Sequence, residues 1–182
     1  FDNASLCSDD VDDFIAACTD CVSVDTVENN DGPCSEDPVQ CAGDYVVDGE
    51  DTAGDLADVA GCGVIEGNLT IQGTELATLP DLSNLTSIGG GLAIHNNGSL
   101  AALTGLNNLT SIGGATDIVF NPALVHVDAL LNLASVGGYF QLAGNTALNS
   151  VTGLSSLTSV GGELAIYDNA ALCQDDVDAF VQ

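Results

Sequence analysis

The chain has 182 residues and carries no Lys or Arg against 27 Asp and Glu, a formal net charge of −27. With no cation to neutralise phosphate, nucleic acid is excluded as a partner, and an anionic membrane surface is disfavoured for the same reason. Hydrophobic residues make up 46% of the chain but aromatics only 4%, so small aliphatic side chains must fill a narrow, regular core.

The charge should keep the protein soluble and self-repelling at low salt, and should favour divalent cations or a salty medium. It leaves no trypsin site, which suits an exposed surface protein, and it fits equally the acidic drift of salt-adapted organisms. No apolar run reaches the roughly 18 residues that a membrane-spanning helix needs. The chain shows no initiator Met and no signal peptide, so it is expected to be mature or excised.

Residues 1–18 open with a segment that returns at the other end. FDNASLCSDDVDDFIA from Phe1 matches YDNAALCQDDVDAFVQ from Tyr167 at ten of sixteen positions, at a constant offset of 166. Ser8 to Val11 starts a helix whose apolar stripe is Val11, Phe14 and Ile15, with Asp9 and Asp10 in the first turn, where the helix dipole favours them. We read 1–18 as the helical end of a preceding module. The chain is then one period, plus a short overlap, of a longer array.

Residues 19–40 form a polar, acidic, cysteine-pinned linker. Asp25, Glu28, Asn30 and Asp31 offer hard oxygen ligands near a glycine, which suits calcium. The spacing is not that of an EF-hand loop, and a solvated acidic linker is the competing reading. Calcium apart, the sequence implies no cofactor.

The cysteines follow the same period. Cys173 copies Cys7, so one period holds Cys7, Cys18, Cys21, Cys34, Cys41 and Cys62. That even set is compatible with three disulfides in an oxidising compartment. Cys41 and Cys62 enclose a short strand at Tyr45 to Val47 and a helix through Ala60, capped by Asp51 or Thr52; a disulfide between them would staple this cap over the first coil. The pairing of Cys7, Cys18, Cys21 and Cys34 stays open, and Cys173 is left unpaired or intermodular. Cys18-x2-Cys21 lacks the second pair that a zinc site needs.

From Gly67 a shorter period takes over. Copies start at Gly67, Gly90, Gly114 and Gly138, with a truncated one at Gly162; the period is 24 residues, with one of 23. Each follows G-x-L-x-I-x-x-N and then a leucine at every third position. The alternating L-x-I piece predicts a short strand with two inward side chains, such as Leu69 and Ile71. The threefold leucine spacing suits 3₁₀-like corners, and Gly-Gly should let the chain turn sharply into the next strand. One copy cannot bury its own apolar face, whereas stacked copies share a core. The fold class is mainly β: a right-handed, leucine-rich-repeat-like solenoid with 24-residue coils, a parallel sheet along one side and short capping helices. Asn97, Asn121, Asn145 and Asn169 recur at one coil position and are expected to form a buried ladder that satisfies turn backbone.

The cap and coils together resemble the receptor L domain, a module of the insulin and epidermal growth factor receptor families and of bacterial surface proteins. The features that carry the likeness are Cys41-x20-Cys62, the entry CGVIEGNLTI from Cys62, the 24-residue coils and the closing Asn169-x-x-Leu172-Cys173. The likeness covers about 41–182, divided into cap 41–66, coils 67–172 and the start of a terminal helix at 173–182. It implies a single-stranded right-handed β-helix, helical caps and an extracellular or cell-surface location, without specifying a function.

No catalytic constellation stands out. His95 and His126 fall at different coil positions, no Ser, His and Asp set recurs, and the glycine pairs lack the Lys of a phosphate loop. The chain is read as non-enzymatic. Sequons occur at Asn3, Asn68, Asn84, Asn97 and Asn108; Asn84 and Asn108 share one coil position, while Asn3 and Asn97 share the ladder position. The functional expectation is a structural or adhesive repeat module that assembles end to end with copies of itself, as an array or filament. The competing expectation is an ectodomain that recognises a protein or glycan on its sheet face. The row Thr70, Ala93, Asp117, Gln141 and Ala165 is poor in aromatics, which counts against the second.

Overall fold

A computed structural model describes residues 38–79, 82–173 and 177, within the second of the chain's two compact units, Pro38–Gln182. The expectations for segments 1–18 and 19–37, for Cys7, Cys18, Cys21, Cys34 and Asn3, for Asp25, Glu28, Asn30 and Asp31, and for most of the terminal helix lie outside the described residues.

The cap holds β1 (Gln40–Cys41), β2 (Tyr45–Val47) and helix α1 (Thr52–Val59). Asp51 is the N-cap, and its side chain accepts from the Gly54 amide at 3.2 Å, while the Thr52 hydroxyl donates to the Asp48 carbonyl instead. Cys41 and Cys62 are disulfide-bonded, which fixes the cap to the first coil.

Each coil then supplies a short strand and a long one. They are β3 (Val64–Ile65) and β4 (Leu69–Gln72), β5 (Ser87–Ile88) and β6 (Leu92–His95), β7 (Ser111–Ile112) and β8 (Thr116–Val119), β9 (Ser135–Val136) and β10 (Phe140–Ala143), and β11 (Ser159–Val160) and β12 (Leu164–Tyr167). Short 3₁₀ turns, η1 (Asp128–Leu130) and η2 (Thr152–Leu154), lie between β8 and β9 and between β10 and β11.

The short strands form one six-stranded parallel sheet, β1-β3-β5-β7-β9-β11. The long strands, with β2, form another, β2-β4-β6-β8-β10-β12. Register partners such as Ser87, Ser111, Ser135 and Ser159 follow each other at 24 residues, while Leu69 pairs with Leu92 at 23. Isolated parallel bridges run from Thr78 through Ala102 and His126 to Ser150 on a third side. The sequence pattern anticipates a single sheet. The second one, built from the Thr-Ser-Ile-Gly pieces, escapes it because two residues are too few to display alternation; the pairing comes from the neighbouring coils.

Inward columns stack like on like. Leu69, Leu92, Thr116 and Phe140 form one, Ile71, Ile94, Ile118 and Leu142 a second, and Ile65, Ile88, Ile112 and Val136 a third, each residue at most 1% exposed. The leucines at threefold spacing, among them Leu100, Leu103, Leu106 and Leu109, close the remaining side.

The glycine pairs act differently from the sequence expectation. Gly113 and Gly137 have no left-handed backbone; a Cβ on either would stand 2.2 or 2.1 Å from the carbonyl oxygen of the glycine one coil before. They are needed because adjacent coils touch there, and a sharp turn is not the reason.

Candidate ligand-recognition face

The outer face of the long-strand sheet gathers the polar and aromatic groups that the core excludes. Strand alternation points Val46, Thr70, Ala93, Asp117, Gln141 and Ala165 outward in one register row. The row itself is indeed poor in aromatics. Its flanks are not: Tyr139 precedes β10, Tyr167 ends β12 and Phe120 follows β8, and they are 43%, 49% and 61% exposed.

Side chains are tied across coils on this face. The Tyr139 hydroxyl donates to Asp117 Oδ2 at 2.7 Å, and Gln141 Nε2 donates to the Tyr167 oxygen at 2.5 Å. The hydrogen bond to Asp117, then partial desolvation, then the carboxylate's charge raise the Tyr139 pKa above its ordinary value of 10.0. At the cap end, Asp44 Oδ1 accepts from both the backbone and side-chain amides of Asn68, at 2.7 and 2.9 Å, and Asn68 Oδ1 accepts from the Gly91 amide at 2.7 Å.

A shallow groove of about 420 Å³ runs over this face from Asp44 and Tyr45 to Asp117. Its floor is small, formed by Gly90, Gly91, Ala93 and Ala115. The short-strand sheet carries a comparable trough of about 400 Å³, lined by Ser87, Ser111, Ser135 and Ser159 and by glycines.

Phe120 is the strained member of this surface. After each long strand the chain passes through a left-handed residue: Gly73, Asn96, Phe120, Gly144 and Asp168, with φ between 55° and 68°. Gly, Asn and Asp tolerate that region, whereas a bulky aromatic does so at a cost. The Phe120 ring lies against Gly144, where an added Cβ would meet Phe120 Cδ1 at 2.7 Å. Sequence reasoning missed Phe120 because it sits one place before the conspicuous Asn121. The signal was present as the odd residue in a column of Gly, Asn and Asp.

The remaining sequence candidates fall as follows. Asn97, Asn121 and Asn145 are fully buried, and each side-chain amide donates to a carbonyl of the preceding coil, Ile71, Ile94 and Ile118, at 2.9–3.0 Å. The oxygens of Asn121, Asn145 and Asn169 accept the backbone amides of Asn97, Asn121 and Asn145, at 3.0–3.1 Å. Thr74 takes the place in the first coil and donates both its amide and its hydroxyl to Asn97. Asn97 is therefore corrected as a glycosylation candidate, since it is buried and its amide is already committed. Asn68, Asn84 and Asn108 are exposed, though Asn68 is tied to Asp44 and Asn108 Nδ2 donates to the Ser83 carbonyl at 2.7 Å. Cys173 is a free, exposed thiol. His126 stands 3.3 Å from Asp128, and His95 bonds Asn96; among the described residues no three His, Cys, Asp or Glu side chains are placed to share a metal ion. No helix of the described residues is long and apolar enough to cross a membrane.

Two parallel sheets stacked coil on coil, closed at one end by a disulfide-fixed helical cap, define a mainly β, solenoid-like module. The family model of the receptor L domain matches residues 61–177, and the chain belongs to that family, whose members are ligand-binding ectodomain modules. No curated protein and no solved structure matches the chain.

Proposed function

We propose that this chain is an extracellular recognition module, a right-handed solenoid of 24-residue coils whose long-strand sheet presents a ligand-binding face and which carries out no chemistry. The observation that carries this reading is Phe120, an exposed aromatic held in a left-handed conformation against Gly144, at the edge of a sheet that also exposes Tyr139 and Tyr167. Its strain runs against stability, and such strain concentrates at binding surfaces. Aromatic side chains are enriched where proteins meet partners. Family membership and the disulfide support the extracellular placement.

The test is a glycan array and a displayed peptide library, each probed with the wild-type chain and with an F120N/Y139A/Y167A variant. Binders that depend on the three aromatics support the reading. If every selected binder holds the variant equally well, the face is not the site.

A second reading is favoured by one separate observation, the return of residues 1–16 as residues 167–182. On this reading the chain is a repeat unit that joins end to end with its copies, with Cys173 meeting the counterpart of the 18–34 segment. Calcium in the acidic linker would stiffen the joint. Electron microscopy of the full gene product tests it: a regular axial repeat supports the array, and isolated particles overturn it.

A further inference from the structure

The groove on the long-strand sheet is bounded by two carboxylates that share one arrangement. At the cap end, Asp44 Oδ1 is held by Asn68 while its Oδ2 accepts no bond among the described residues. At the far end, Asp117 Oδ2 is held by Tyr139 while its Oδ1 is likewise open. Each carboxylate is thus oriented by a neighbour through one oxygen and presents the other. The chain has no Lys or Arg that could occupy either.

Asp44 precedes β2 and Asp117 lies in β8, so three strand-to-strand steps separate them in the order β2-β4-β6-β8. At about 4.8 Å per step the separation along the coil axis is roughly 14 Å. Asp117 lies two residues further along its strand than Ala115, which is in line with Asp44, so the two backbone positions stand roughly 16 Å apart. The long side chains of Arg or Lys bridge that span from a somewhat shorter backbone spacing. An extended peptide rises about 3.3 Å per residue and returns to the same face every second residue, so positions i and i+4 stand roughly 13 Å apart on one side. Resting on the reading of this sheet as a recognition face, we propose that the groove takes an extended basic peptide segment with Arg or Lys at positions i and i+4.

Other features of the site suit that occupant. The Gly90, Gly91, Ala93 and Ala115 floor lets a backbone approach closely. Tyr139, bonded to Asp117 and part-exposed, offers a ring face to a guanidinium that pairs with the same carboxylate. Charge-assisted pairs with oriented carboxylates are among the stronger polar contacts, and their orientation lowers the ordering cost of binding. Anionic ligands are repelled by every charge on the chain.

The experiment uses calorimetric titration at physiological salt with synthetic peptides of one composition. One carries two arginines at i and i+4, one carries them adjacent, and the proteins are wild type, D117N and D128N. The i, i+4 peptide is expected to bind about tenfold more tightly than the adjacent one, the equivalent of one good charged pair. D117N should erase that difference, and D128N, a carboxylate on η1 away from the groove, should preserve it. Binding that ignores spacing, or equal losses in D117N and D128N, would mean that only the overall negative field attracts the peptide, and the proposal falls. That failure is separate from failure of the recognition face, which is read from library binders lost in the aromatic variant.

Discussion

Thr116 stands directly across from Phe140 in the ladder between β8 and β10, in an inward column whose other members are Tyr45, Leu69, Leu92 and Leu164. The small and the large side chain together keep the column filled where two leucines would otherwise stand. The exchange leaves a defect, because the Thr116 hydroxyl is fully buried and has no hydrogen-bond partner. Thr116→Val keeps the shape and removes the unsatisfied group. It should stabilise the chain by about 1 kcal/mol, seen as a higher urea midpoint with an unchanged slope.

The asparagine ladder should be far less forgiving. Asn121 accepts from the amide of Asn97 and donates to the Ile94 carbonyl. Asn121→Ala strands both of those buried groups, and each orphan costs about 1–3 kcal/mol. Urea unfolding should show a loss of about 3 kcal/mol or more. A change below 1 kcal/mol would mean that water replaces the amide.

Phe120 and Gly144 predict opposite outcomes at neighbouring corners. Phe120→Asn relieves a left-handed aromatic and should raise stability by about 0.5–1 kcal/mol, while weakening any ligand that uses the ring. Gly144→Ala meets both the positive φ of 68° and the Phe120 ring, and should destabilise by at least about 1 kcal/mol. Thermal melts of both variants check the pair.

The Tyr139–Asp117 bond has a pH signature. The folded hydroxyl loses its proton above the ordinary tyrosine value, chiefly because it donates to the carboxylate. Its contribution to stability is whole below about pH 10, where folded and unfolded chains are both protonated. It is lost as pH rises through the folded value, because the unfolded chain ionises first. Absorbance titration near 295 nm should show the Tyr139 transition move to lower pH in Asp117→Asn. An unmoved transition would place the bond elsewhere.

Reduction tests the cap. Cys41–Cys62 closes a loop with a sequence separation of 21, and loop-closure entropy gives such a link about 3 kcal/mol. A reductant, or a C41S/C62S double variant, should lower the melting temperature and speed amide exchange in β2 and α1 before the later coils. Uniform exchange along the coils would show that the cap is held without the disulfide.

Much of this was legible in the chain itself. The recurring G-x-L-x-I-x-x-N pattern marks Leu69, Ile71 and their later counterparts as inward, because in a repeated coil each residue is buried by its own image one period away. The asparagine ladder follows from the same logic, as does the acid-only surface that excludes polyanions. What the pattern could not supply was lateral detail. Asp117 and Tyr139 are 22 residues apart, off the period by two, so no repeat alignment pairs them; only the sheet register and the pleat bring them together. The serine strands became a second sheet, and glycines such as Gly113 became indispensable, because of how closely one coil rests on the next. Burial is written locally and periodically, whereas contact across the surface depends on the winding, and that is why the core could be read from the sequence while the face had to be seen in the fold.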